Sequence, residues 1–213
     1  MRRLRIPRDT SWFASGDWGS NNPGVLHGWF DVGDGHWHIG IELKFQHESV
    51  ESVCRRWHTL VDLHGITKKC SGLVLDPACW TNEGDSIAMM FTRDKMSPIK
   101  AINDRKNGWV RLRELLRPAP DGVPWLTIDA VRCPYLARTL PSQRSHPTDA
   151  DDVDTHGDDH GADSARYGAL SGFVTRRTRA ALSATPYGAE SIGALRDKLL
   201  AVGRAVRTFG TVG

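Results

Sequence analysis

The apolar pattern of this chain changes period near residue 47, and that change limits the folds open to it. Before it stand three segments of strand character: SWFASGDWGS from Ser11, GVLHGWFDV from Gly24 and HWHIGIELKF from His36. The first runs into a glycine-rich turn. The second and third are joined through VGDGH, and an Asp-Gly pair suits the positive backbone angles of a tight hairpin. Three successive strands with tight turns predict an antiparallel meander. After it, Val50, Val53, Cys54, Trp57, Leu60 and Val61 recur at three- and four-residue steps, so Glu48 to His64 is predicted to be an amphipathic helix.

Beyond Gly65, strand and helix alternate. CSGLVLDPA is a short apolar run closed by Asp-Pro; a helix separates it from the meander, so it is expected to lie buried and parallel to the first strand. Ser86 to Lys95 predicts a helix, PIKAIN a strand, GWVRLRELLRP a helix closed by Pro118, PWLTIDAV a strand, and Pro134 to Leu140 a short helix. Ser142 to Gly157 is polar, rich in Asp and without period, which predicts a long loop. Asp159 to Val174 predicts a helix with a face of Ala162, Ala165, Tyr167, Ala169 and Leu170. After a linker, Ile192, Leu195, Leu199, Val202 and Val206 again recur at helical steps. The expectation is an α/β fold, a mixed sheet made of the three-strand antiparallel meander plus parallel strands, flanked by helices. Residues 1–174 form the domain, and 175–213 a basic C-terminal extension with one helix.

Hydrophobic and charged shares of 39% and 25% suit a globular domain, and no run of 18 apolar residues exists to span a membrane. The basic N-terminus, MRRLRIPRDT, has no apolar stretch behind it and does not read as a secretory signal, so a cytosolic setting with reduced thiols is expected. Cys54, Cys70, Cys79 and Cys133 form no CxxC pair, and with His58 and His64 they match no zinc-ligand spacing; buried structural thiols are expected. The net charge is only +3, but it is unevenly spread: Pro147 to Asp163 holds seven Asp and no Lys or Arg, whereas from Ser164 onward eight Lys/Arg face two acids. An acidic cluster in a mildly basic protein suits cation binding beside a polyanion; a solvated acidic loop with a basic tail is the plainer reading.

Carboxylates at three places can converge in such a fold. Asp17 closes the first strand in S-G-D-W-G-S, where flanking glycines leave room for a phosphate backbone; a turn Asp bonding its own backbone is the structural alternative. Asp76 ends the strand of CSGLVLDPA, at the edge where open α/β sheets bind ligands; an Asp-Pro turn is its alternative. In D-H-G-A-D-S-A-R-Y-G, helical spacing sets Asp159, His160 and Asp163 on one face, whereas a capping role suits Asp158 or Asp159. Several carboxylates from separate segments are what two-metal phosphodiester hydrolysis requires, with ions about 3.5–4 Å apart, and oxygen donors suit Mg²⁺ or Mn²⁺.

From about Trp12 to Gly168 the chain resembles the C-terminal nuclease domain of the phage terminase large subunit. The parts stand in that family's order: SGDWGSNNPGVLHGWF, LVLDPACWTNEGDSIAMMF, NDRKNGWVRLRELL, LTIDAVRCPYLARTLP, and DADDVDTHGDDHGADSARYG, which is similar to the family's D-H-x-x-D-A-x-R-Y ending. The resemblance implies a ribonuclease H-like fold and metal-dependent cleavage of double-stranded, concatemeric DNA during capsid filling. It implies Asp17, Asp76 and Asp163 as metal ligands, with His160 and Asp159 beside the ions, Asp159 also able to reach a metal. Lys100, Arg105, Lys106 and Arg111 are the candidates for DNA contact, with a solvated basic face as their alternative. Double-stranded DNA, a terminase ATPase domain, the small terminase subunit and the portal are the implied partners, in the host cytoplasm. The sequence lacks a G-x-x-x-x-G-K-[ST] loop, so the motor is expected elsewhere, on the same gene or another. Two further readings share the carboxylate logic: a junction resolvase or transposase core, and an inactive prophage remnant that binds DNA without cutting.

Overall fold

The computed structural model describes residues 6–19, 21–81, 85–146, 149–153 and 157–172. The three-strand meander is present as β1 (Trp12–Asp17), β2 (Gly24–Gly33) and β3 (His36–Phe45), paired antiparallel. Asp34 and Gly35 turn the β2–β3 hairpin with φ of 51° and 83°, the positive angles that an Asp-Gly pair tolerates. Helix α1 (Val50–Leu63) follows, capped by the Ser49 side chain on the Ser52 N–H and burying Val50, Val53, Cys54, Trp57 and Val61. Strand β4 (Leu73–Leu75) then lies parallel to β1, as the intervening helix predicted.

Among the described residues the remaining elements are α2 (Ile87–Arg93), β5 (Pro98–Lys100), α3 (Arg105–Leu115), β6 (Leu126–Ile128), α4 (Pro134–Thr139), β7 (Ser145–His146), β8 (Asp149–Val153) and α5 (His160–Tyr167). Six strands form one mixed sheet in the order β5-β4-β1-β2-β3-β6, so β1 and β2 lie at its centre. Side chains alternate between its faces. Trp12, Ala14, Leu26 and Phe30 pack with α1 and α2 on one side. Phe13, Trp29, Trp37 and Ile39 pack with α3, α4 and α5 on the other. The mixed α/β architecture expected from the sequence is therefore observed. All four cysteines are free, and three are buried.

Three local features depart from the sequence pattern. In β3 the odd positions Trp37, Ile39, Ile41, Leu43 and Phe45 are all apolar, which predicts one apolar face. The pairing skips Gly40, because Gly28 faces Ile41 while Trp29 faces Ile39. This bulge moves Ile41, Leu43 and Phe45 to the α1 side and turns Glu42 to the α5 side. Within the segment expected to be a loop, β7 and β8 pair antiparallel. Arg105 holds β8 by bonding Asp152 Oδ1 at 2.7 Å and the Val153 carbonyl at 2.9 Å, contacts that no local period encodes. The last helix begins at His160 and widens into a π-helical turn over Gly168–Gly172. The expected extension 175–213 and its helix lie outside the described residues.

Close approach explains Gly168: a Cβ there would stand 2.6 Å from the Trp29 ring, which is fully buried. Gly168→Ala should lower stability by about 1–3 kcal/mol through overpacking. Urea denaturation measures this, and an unchanged midpoint would mean that the ring yields freely.

Candidate active site

Parallel pairing of β1 with β4 brings two acids to one end of the sheet. Gly16 is the partner of Leu75, and the Asp76 N–H reaches the Gly16 carbonyl at 3.3 Å, so Asp17 and Asp76 leave adjacent strands side by side. The carboxylate of Asp76 also accepts from the Ala78 N–H at 2.9 Å, starting the short 3₁₀ turn Pro77–Trp80. The Asp-Pro turn is thus present, at the strand end that the sequence also offered as a ligand edge.

Helix α5 supplies the third acid. It lies across β1, with His160 and Asp163 in its first turn. His160 Nδ1 meets Asp17 Oδ2 at 2.8 Å, joining residues 143 positions apart. Asp163 Oδ1 accepts from Arg166 Nε at 2.9 Å, and its Oδ2 faces Arg105 Nη1 at 3.8 Å. Arg166 is 2% exposed and lies over the rings of Tyr167 and Trp109. Asp159 occupies the N-cap position, yet its side chain makes no capping bond. Asp158 turns away to the Tyr135 hydroxyl and, at 3.0 Å, to Arg138.

The charges respond to one another. Burial pushes the Asp17 carboxyl above its ordinary value, and the nearby Asp163 and Asp76 push the same way, against the hydrogen bond from His160. Asp159 is raised by burial and by Asp163. His160 is raised chiefly by its bond to Asp17, although burial works against it. Asp158 is lowered: burial opposes, but Tyr135 and Arg138 prevail. The donor set of Asp17, Asp76 and Asp163 fits a hard divalent cation in its chemistry and its surplus of negative charge. In the present arrangement each of these acids faces a protein donor, and among the described residues no three His, Cys, Asp or Glu side chains form a set able to hold an ion.

Of the basic residues singled out in the sequence, Arg105 belongs to the carboxylate cluster itself. Lys100 is exposed at the end of β5, Lys106 is exposed on α3, and Arg111 on α3 pairs with Glu114 at 3.0 Å. Arg166 escaped the sequence reading, although an Arg three residues after an Asp on a helix is a recognisable pair. A cavity of about 470 Å³ between α3, α4 and β8, lined by Trp109, Leu112, Leu136 and Val153, is apolar and includes none of these acids.

No family model matches the sequence, and no curated protein matches it either. Solved structures do match. The chain is similar to the nuclease domain of the P22 large terminase, with a TM-score of 0.60 and 14% identity over 83% of this chain and 87% of that one. It is also similar to the large terminase of a thermophilic bacteriophage, with a TM-score of 0.59 and 17% identity over 78% of this chain. A second crystal form of that protein gives a TM-score of 0.60 at the same identity. The chain spans 40% of the length of that large terminase. The terminase nuclease fold expected from the sequence is therefore the fold observed.

His160 gains its carboxylate partner on folding, so its contribution is whole below the ordinary imidazole value of 6.5 and fades as pH rises through the raised one. Metal-free protein should melt at a lower temperature at pH 8 than at pH 6.5, and His160→Ala should flatten that slope. An identical slope in the variant would show that the imidazole carries no charge onto Asp17. Asp17→Asn, which removes a buried charge repelled by two others, should leave the melting temperature at pH 8 unchanged or higher without metal; a large fall would refute the repulsion.

Proposed function

We propose that this chain is a divalent-metal-dependent endodeoxyribonuclease that cuts double-stranded DNA, the concatemeric viral genome, during phage packaging. The observation that carries the proposal is the gathering of Asp17, Asp76 and Asp163 from β1, β4 and α5 at one end of a terminase-type sheet. Asp17, Asp76 and Asp163 would hold Mg²⁺ or Mn²⁺, as two ions, with Asp159 close enough to assist. When bound, such ions supply an activated water and neutralise charge on the phosphate. The protein groups do the orienting. Arg166 and Arg105 hold Asp163 from two sides, and Asp76 is set by its own turn. His160 would donate through Nδ1 to Asp17 Oδ2, which leaves Nε2 as the ring nitrogen to assist proton transfer.

Lys100, Lys106 and Arg111 would meet phosphates without reading sequence, so binding should weaken as salt rises, whereas Arg105 faces Asp152, Val153 and Asp163 and would serve the carboxylate cluster instead. An ATPase domain, the small subunit and the portal are the proposed partners, in the host cytoplasm; among the described residues no helix is long and apolar enough to cross a membrane.

Plasmid incubated with the protein should be cut in Mg²⁺ or Mn²⁺ and left intact in EDTA. Asp17→Ala and Asp76→Ala should abolish cutting in folded protein. Asp163→Asn should be inactive with a normal melting temperature, Asp159→Asn partly active, and His160→Ala slower but not dead. Cleavage by Asp17→Ala or Asp76→Ala at the parental rate would end the assignment. Full activity in Asp163→Asn with loss in Asp159→Asn would move the ligand one turn back along α5.

A further inference from the structure

Beneath α5 lies a polar row that the nuclease reading does not use. Ser15, His27 and Glu42 are direct cross-strand partners on β1, β2 and β3, and they point to the same face. Ser15 and His27 are fully buried, and the Glu42 side chain is 3% exposed. Ser164, also fully buried, completes the row from above, one residue after Asp163. Its Oγ lies 3.2 Å from Ser15 Oγ and 2.9 Å from His27 Nδ1, and His27 Nε2 lies 3.2 Å from Glu42 Oε2.

Hydrogen-bond bookkeeping assigns every proton in the row. The Trp29 indole can only donate, and it donates to Ser15 Oγ at 2.9 Å. Ser15 then donates to Ser164, Ser164 to His27 Nδ1, and His27 donates from Nε2 to Glu42. The reverse direction would leave a buried Ser15 hydroxyl without an acceptor, at a cost that buried polar groups rarely bear. The chain ends where it should, on a carboxylate that also accepts the Tyr135 and Leu136 N–H groups at 2.8 Å each, at the start of α4.

The spacing gives this row a consequence for the site. Ser164 and His160 are one helical turn apart, a rise of about 6 Å. Ser15 and Asp17 are two strand residues apart, about 6.6 Å. Securing Ser164 over Ser15 therefore sets His160 over Asp17, as observed at 2.8 Å. A slide of α5 by one residue would break both contacts together. We propose that Ser15, His27, Glu42 and Ser164 form a buried pin that sets the register of α5 along β1, and that His27 is thereby a positioning residue for His160 and Asp163. The proposal rests on the nuclease reading only for its effect on catalysis.

The test uses Ser164→Ala, which removes one oxygen from the α5 side, with His27→Leu and with His27→Asn, whose amide oxygen can take the place of Nδ1. Mn²⁺ affinity of the DNA-free protein, kcat and KM for plasmid, and the low-field Nδ1–H proton resonance of His160 in metal-free protein are measured. The expected result is Mn²⁺ affinity and kcat lower by about tenfold or more in Ser164→Ala and His27→Leu, the range typical of outer-shell partners. KM should stay near parental, His27→Asn should recover part of the loss, and the His160 resonance should shift or vanish in Ser164→Ala. Should His27→Leu fail to fold, Ser164→Ala decides alone. A folded Ser164→Ala with parental kcat, Mn²⁺ affinity and His160 resonance would overturn the pin. If the parent neither binds Mn²⁺ nor cuts DNA, the nuclease reading fails, and the His160 resonance still decides the register claim: unmoved in Ser164→Ala, it refutes that claim.

Discussion

The candidate site depends on the parallel pairing of β4 with β1. A parallel neighbour ends at the same edge of the sheet, so the residues after both strands emerge together. Asp17 and Asp76 are 59 positions apart in the chain and adjacent in space for that reason alone. The helix α1 between them is what makes the parallel return possible. Its packing through Trp57, Val53 and Val61 on the sheet is therefore part of the site's construction, although no residue of α1 belongs to the site.

Bringing acids together has a cost, and the surrounding residues offset it. Asp17 is buried and repelled by two neighbours, which favours its protonated form. His160, Arg105 and Arg166 each place a donor or a positive charge against one of the acids. Arg166 is nearly inaccessible and buttressed by Trp109 and Tyr167, so its bond to Asp163 is fixed by packing as well as by charge. Gly108 leaves the room for it, since a Cβ there would stand 2.7 Å from Arg166 Cγ. In this structure Asp17 and Asp163 are engaged by His160, Arg105 and Arg166. A divalent ion entering among these acids would compete with those same contacts.

The bulge at Gly40 links the sheet to this arrangement. Without it Glu42 would point to the α1 side, among Ile41's present neighbours, as an unpaired buried charge. With it, Glu42 reaches His27 and the first N–H groups of α4. One extra residue in an edgeward strand thus gives α4 its N-terminal acceptor and gives α5 its anchor.

Much of the architecture was legible in the sequence, because local periods report burial directly. The meander, the Asp-Gly hairpin, α1 and the parallel β4 follow from spacing and turn chemistry within each segment. Asp17 and Asp76 could be singled out as well, since strand ends are local features; among Asp158, Asp159 and Asp163 the spacing left the choice open, and only the family resemblance pointed to Asp163. The partners of those acids could not. That Arg105 lies in the cluster, that β8 pairs within a polar stretch, that Asp158 turns to Tyr135, and that Glu42 faces α5 depend on long-range contacts or on a bulge that strict alternation conceals. Alone, the sequence determined the meander, the main helices, the parallel strands and where acids could emerge, but not the β7–β8 pair. Only the tertiary structure decided which acid faces which cation, because that choice is made by side chains many tens of residues apart competing for the same few ångströms.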